Sequence, residues 1–273
     1  MTAPEETRAF AESVAAAVSK TLPEPPAWHP GQTGDDRCPE LSAALERTGW
    51  LSLATDPDLL AFTGPAALEL GRALAPVCEI DALLGGSPMA ADLVRYHDGS
   101  RNVVRFGVEG LSLVRITRSQ ALPYGDAIGV HRVLEGVLEG RLSGHETRTA
   151  AWIAASVGYL AGVGERTLGL TVDYAKDRRA FGSTLAALAP VQQLLADVAT
   201  TVRGLRLLAM DCPGVDALAY SGPALCRATA SCQQVVGAIG YTLEFPLQRA
   251  YRRARALTLW ADAVLDQRAG RVA

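Results

Sequence analysis

The chain has 273 residues, of which 49% are hydrophobic and 20% charged, and carries a net charge of −3 at pH 7. That length is enough for a sizeable core in one or two domains, and the balance of apolar and charged residues reads as globular. Acids and bases are interspersed along the chain, so there is no basic footprint for nucleic acid and none is expected to bind. The stretch "PEETRAFAESVAAAVSK", 4–20, is rich in Ala and Glu with apolar residues at helical spacing, which predicts a first helix. A proline- and glycine-rich linker, "TLPEPPAWHPGQTGDD", follows. Residues 39–48, "PELSAALERT", open on a proline and continue with helix formers; "GPAALELGRALAP", 64–76, repeats the pattern with Pro65 near its start and Pro76 just past its end. Residues 1–85 therefore read as an N-terminal helical domain.

Between 86 and 144 the composition shifts to β-branched residues in short alternations, "NVVRFGV" and "LSLVRIT", broken by Gly, Pro and Asp-Gly turns. This predicts a reduced β middle domain of a few strands. From 145 to 273 the chain turns helical again, with helices expected over 147–179, 187–211, 215–239 and 246–268. Short turns bearing Pro or Gly separate them, as in an antiparallel four-helix bundle. The fold class expected is mainly α. Small residues line the first of these helices, "AAWIAASVGYLAG", 150–162, and allow close helix contact either within the chain or between subunits.

Cys38, Cys78, Cys212, Cys226 and Cys232 are odd in number and lack CxxC or His-paired spacing, which argues against a disulfide framework or a zinc site. They read as buried thiols of a reducing cytoplasm, with no metal expected; His29, His97, His131 and His145 have no ligand spacing either. Acids stand at the N-terminus where a secretory leader needs basic and then apolar residues, and no run approaches about 18 uninterrupted apolar residues. The expectation is a cytoplasmic protein, neither secreted nor membrane-spanning.

The segment "YAKDRRAFG", 174–182, sets two arginines against an aromatic ring at a helix end. One reading is a solvated last turn, with cations at the negative end of the helix dipole and Gly182 as a left-handed cap. The surrounding residues add a second reading. "AGVGERTLGLTVDYAKDRRAFGSTLAALAPVQQLLADV", 161–198, resembles the C-terminal helices of acyl-CoA dehydrogenases, in which a helix ends in Tyr-Ala-x-x-Arg-x-x-Phe-Gly and the next carries Gln followed by Leu-Ala-Asp. "LERTGWLSLATDPD…ALELGRALAPV", 45–77, resembles that family's N-terminal helical domain, and "QVVGAIGYTLEFPLQRAYRRAR", 234–255, its Gln-x-x-Gly-Gly-x-Gly-Tyr-x-x-Glu-x-Pro motif.

The resemblance implies FAD as cofactor. It places Arg178 on the pyrophosphate, where a planar guanidinium suits phosphate oxygens, Phe181 beside the dinucleotide, and Gln192, Gln234 and Gly237 near it. In family tetramers such residues reach across an interface to the ADP half of a FAD whose ring sits in the neighbouring subunit. The carboxylate that removes the α-proton in this family aligns with Ala261, or in some members with Trp152, so no catalytic base is implied in this chain. Asp262 and Glu146 are substitutes one helix position or more away, and a one-residue shift turns a side chain by roughly 100°. Segments that hold the flavin ring are not found between 86 and 144; Ala263, Ala238 and Ala189 replace further family residues. The half of the site for this chain's own flavin is thus eroded, and the half offered to a neighbour is retained.

That pattern implies a non-catalytic subunit of a heteromeric acyl-CoA dehydrogenase, of the two-subunit type found in actinobacterial steroid and related acyl-CoA degradation. Its partner would be a homologous catalytic subunit in an α2β2 assembly sharing FAD, with an acyl-CoA substrate. Two readings stay open beside it: a stand-alone or repurposed oxidoreductase with a relocated base such as Asp262, and a cofactor-free structural subunit.

Overall fold

The computed structural model describes residues 4–22, 38–95, 102–122 and 130–271. Helix α1 (Pro4–Thr21) carries acids in its first turn and Lys20 in its last, in keeping with the helix dipole. Helix α2 (Pro39–Thr48) begins on a proline and ends where Gly49 takes a left-handed conformation. After two short 3-10 turns comes α3 (Leu60–Arg72). It starts earlier than its prolines suggest: Pro65 lies inside it and is buried. Asp56, whose carboxylate accepts the Asp58 backbone N–H at 3.0 Å, supplies the start signal upstream instead. A single helical turn, α4 (Cys78–Asp81), completes this part of the chain.

The middle segment is a closed barrel. Strands β1 (Pro88–Ala90), β2 (Leu93–Arg95), β3 (Asn102–Gly107), β4 (Gly110–Ala121) and β5 (Val130–Arg141) run in the order β1-β2-β5-β4-β3, antiparallel except where β3 pairs with β1. Its interior holds Met89, Val94, Val103, Val114 and Ile116. Closure leaves no exposed sheet edge where the ring of pairings is complete, which is how so few strands stay stable. The long strand β5 carries no sequence alternation to predict it, because its residues are exposed or half-buried on both faces beyond Val130. Its conformation comes from pairing with β4.

Four long helices follow: α5 (His145–Asp177), α6 (Ala189–Met210), α7 (Val215–Val236) and α8 (Leu247–Arg268). They pack on one another, α5 against α6, α7 and α8 in turn. Between α5 and α6 lies a two-residue hairpin of β6 (Arg179–Ala180) and β7 (Ser183–Thr184). The small residues of α5 serve contacts inside the chain. A Cβ on Gly158 would stand 2.1 Å from the Gly64 carbonyl oxygen, and one on Gly162 the same distance from that of Leu68, so α3 and α5 touch backbone to backbone. Beside this contact Tyr159 donates to the Ala75 carbonyl at 2.7 Å and accepts from Arg253 of α8 at 2.6 Å. The barrel joins this layer through Phe106, whose ring lies 5.1 Å from that of Trp152 on α5. No helix among the described residues is long and apolar enough to cross a membrane. Of the cysteines, only Cys226 and Cys232 are buried; Cys38 and Cys78 are half-buried and Cys212 is exposed, because it falls in the turn between α6 and α7 rather than on a helix face. His29 and His97 lie outside the described residues.

Candidate functional site

The residues singled out in the sequence fall into two places, one on the outside of the helical layer and one within it. On the outside, the end of α5, the start of α6 and the end of α7 meet, held by a cluster of Val198, Val236 and Leu247 against which Tyr174 and Phe245 pack ring to ring at 5.5 Å. Arg178 closes α5 in an extended conformation. Its backbone is fixed on both sides, its N–H donating to Tyr174 at 2.9 Å and its carbonyl accepting from Leu185 at 2.8 Å, while the side chain is exposed. Gly182 is not the helix cap that its position suggested. Phe181 and Gly182 form the turn of the β6–β7 hairpin, with φ of 53° and 81°, the paired positive values of a type I′ turn. An aromatic residue in that region is strained, and Phe181 is 92% exposed.

Gln192, on the first turn of α6, is exposed and donates its amide to the Ala186 carbonyl at 2.8 Å. Gln234 is exposed near the end of α7, and Gly237 ends that helix at φ 74°, ψ −152°, a combination open in practice to glycine alone. The five residues Arg178, Phe181, Gln192, Gln234 and Gly237 thus share one end of the layer, with Arg178 and Phe181 directed away from the chain's own core. A cation, an aromatic face, amide groups and a bare backbone turn are a donor set that fits a nucleotide diphosphate.

The inside tells the opposite story. Trp152 and Ala261, the two positions where a base is expected by resemblance, line one cavity, together with Arg95 and Trp260. Its volume is about 10 Å³, room for a single water and no more. It is small because it is filled. Asp81, at the end of α4, and Arg95, at the end of β2, form a buried ion pair in which the guanidinium Nε donates to Oδ2 at 3.0 Å and Nη2 to Oδ1. The Trp152 indole N–H donates to the same Oδ1 at 3.0 Å, and the Arg95 guanidinium lies 5.0 Å over the Trp260 ring. Burial pushes the Asp81 carboxyl above its ordinary value, against the pull of Arg95 and the Trp152 N–H. Both Asp81 oxygens are engaged, Oδ1 by two donors and Oδ2 by one, which commits this carboxylate to the ion pair. The flavin ring does not fit here.

Asp262 does not face this cavity: it is exposed on α8 beside buried Ala261, and Glu146 is exposed in the first turn of α5. A wider, open groove of about 760 Å³ lies on the far side of Asp81, between α2 and residues 78–87, where the Ser42 hydroxyl donates to buried Glu79 at 2.6 Å. It holds none of the residues that the sequence nominates for cofactor binding or catalysis. Asp81, Arg95 and Trp260 were missed because their partnership crosses three parts of the chain. Gln233 was missed although it had a signal: in a consecutive Gln pair on a helix the side chains point about 100° apart, so when Gln234 faces solvent its neighbour turns inward. Gln233 is fully buried. Among the described residues no group of His, Cys, Asp and Glu could hold a metal ion.

A family model described as acyl-CoA dehydrogenase, C-terminal domain, matches residues 148–213 and 217–261. The short-chain specific acyl-CoA dehydrogenase of Sus scrofa is 33% identical over 39% of this chain, a match spanning 29% of that protein. The first curated relatives are therefore covered for less than a third of their own length. Acyl-CoA dehydrogenase IpdE2 of Mycobacterium tuberculosis is 27% identical over 93% of this chain and 92% of its own length. Among solved structures, the ChsE4-ChsE5 complex from Mycobacterium tuberculosis contains a chain that superposes with a TM-score of 0.69 at 17% identity, covering 99% of this chain and 97% of that one. The C-terminal helices of this chain thus match the acyl-CoA dehydrogenase C-terminal domain, and the chain as a whole shares the fold of solved acyl-CoA dehydrogenases.

Proposed function

We propose that this chain is the non-catalytic subunit of a heteromeric, FAD-dependent acyl-CoA dehydrogenase, in which it supplies contacts to the ADP half of a FAD held mainly by a homologous catalytic subunit. The assembly is α2β2, and the substrate an acyl-CoA of the steroid-derived class, desaturated between its α and β carbons. The observation that carries this reading is Phe181. A strained aromatic residue at a hairpin tip, 92% exposed and beside an exposed arginine, buries almost none of its ring against the described residues. Strain of that kind is kept where something outside the chain meets it.

When bound, FAD supplies the acceptor for the hydride that leaves the β carbon. In this chain, Arg178 would offset phosphate charge, Phe181 would pack against the adenine-ribose portion, and the Gly237 turn would let backbone approach the nucleotide. The filled interior around Trp152 and Ala261 supports the same reading from the other side, since neither a base nor a flavin ring has a place there. The match to a chain of the ChsE4-ChsE5 complex supports a partner of related fold.

Purification of this chain with and without a candidate catalytic partner, followed by an absorbance spectrum, tests the proposal. Flavin absorbance is expected only in the co-purified sample. Stoichiometric flavin on the chain alone would show an independent site and overturn the heteromeric reading; a stable complex colourless in every preparation would favour a purely structural subunit.

A further inference from the structure

The turn that follows α7, a 3-10 turn over Gly237–Tyr241, carries exposed Ala238, Ile239 and Tyr241 on its outer side and is held from below by one side chain. Gln233 is completely buried, and its Nε2 donates to the Gly240 carbonyl at 3.0 Å. Gly240 is buried as well, and a Cβ there would lie 2.3 Å from the Gln233 Oε1, so any side chain at 240 would push the Gln233 amide out of this position. The same Oε1 is buried with no hydrogen-bond partner among the described residues. An apolar side chain of equal size would fill the space without stranding a polar oxygen, so packing does not explain a glutamine here. Its satisfied group is the one that grips the turn.

From this geometry we infer that Gln233 is a positioning residue for the cofactor-facing end: by fixing Gly240 it sets the path of the 237–241 turn and hence the outward placement of Gly237, next to Gln234 on the end of α7. The inference rests on the reading of that end as facing the ADP half of FAD. Gln233 itself touches no cofactor in this account; it acts through the turn.

The test uses the co-purified complex and follows release of FAD by the rise in its fluorescence, with free ADP as competitor. Gln233→Met keeps the length and removes both the donor and the acceptor; FAD release is expected to be about tenfold faster, the equivalent of one lost hydrogen bond. Gln233→Glu adds a readout that mere packing would not move. Its protonated carboxyl can donate to the Gly240 carbonyl, whereas the carboxylate repels it. Release from this variant should approach the parent rate at acidic pH and accelerate, relative to the parent at the same pH, as the carboxyl ionises. Arg178→Ala separates the two levels of the argument. If it releases FAD faster while both Gln233 variants match the parent at every pH, the inference about Gln233 is overturned and the reading of the site stands. If all three match the parent, both fall. A loss of thermal stability in the Gln233 variants with no pH-dependent difference in FAD release would assign Gln233 to the core alone and overturn the inference equally.

Discussion

At the scale of single residues, Phe181 separates stability from function. Its positive φ is a conformation that asparagine tolerates well, and Asn-Gly is the favoured pair for a type I′ turn. Phe181→Asn should therefore stabilise the isolated chain by about 1 kcal/mol in a urea titration, because it relieves strain and removes an exposed ring that has little to lose within the chain. In the complex the same change should speed FAD loss. Arg178→Ala belongs with it: its side chain is exposed, so the isolated chain should be almost unaffected, while retention of FAD in the complex should weaken by about 1.5–3 kcal/mol through loss of a charge-assisted phosphate contact. A destabilised chain with unchanged flavin retention would return the segment to the plain helix end that its charges first suggest.

At the scale of elements, the approach of α3 to α5 is among the tightest contacts in the described chain that a single methyl group would break. The glycines on both helices let carbonyl oxygens sit where side chains would begin, and Gly162 faces the Leu68 carbonyl in this way. The neighbour is backbone and cannot rotate aside. Gly162→Ala should cost about 3 kcal/mol, at the upper end of overpacking effects, measured as a shift of the urea midpoint with an unchanged slope. By contrast, a Cβ on Gly169, farther along α5, would meet nothing, and Gly169→Ala should leave stability level or raise it through helix propensity alone. The β6–β7 hairpin shows the same logic at the surface: a turn of two residues fixes which way Arg178 and Phe181 point, and no longer loop would hold them as closely.

At the scale of the whole molecule, the Asp81–Arg95 pair joins the N-terminal helices to the barrel, and Trp152 and Trp260 bring α5 and α8 to the same point. A buried pair of this kind contributes little net stability compared with well-packed apolar residues, yet loss of one partner strands a charge. Asp81→Leu alone should destabilise the chain by about 3–5 kcal/mol, and Asp81→Leu with Arg95→Met by much less than the sum of the two single changes. A double-mutant cycle in urea measures this directly. Additive costs would mean that the two residues act separately and that the interior is closed by the tryptophans alone.

The positions of the long helices were legible from the sequence, because apolar residues at helical spacing and the Pro- and Gly-bearing turns are local signals: α1 and α2 lie almost residue for residue where their composition puts them, and α5 to α8 shift by a few residues at their ends. The candidate residues of the outer end, Arg178, Phe181, Gln192, Gln234 and Gly237, could be named from the sequence because each lies in a short contiguous motif, and their contact with FAD is the proposal made above. What the sequence alone left open was decided by contacts between distant segments. How the strands expected between 86 and 144 close into a barrel depends on β5 finding β4 and β2, and its own residues do not alternate. Whether the small residues of α5 face inward depends on α3. The filled interior depends on Asp81, Arg95, Trp152 and Trp260, which are remote in sequence and meet only once the barrel closes against the helices. A local motif can name the residues of an exposed end, but the volume of a cavity is a property of all the chains of packing around it, and only the tertiary structure sets it.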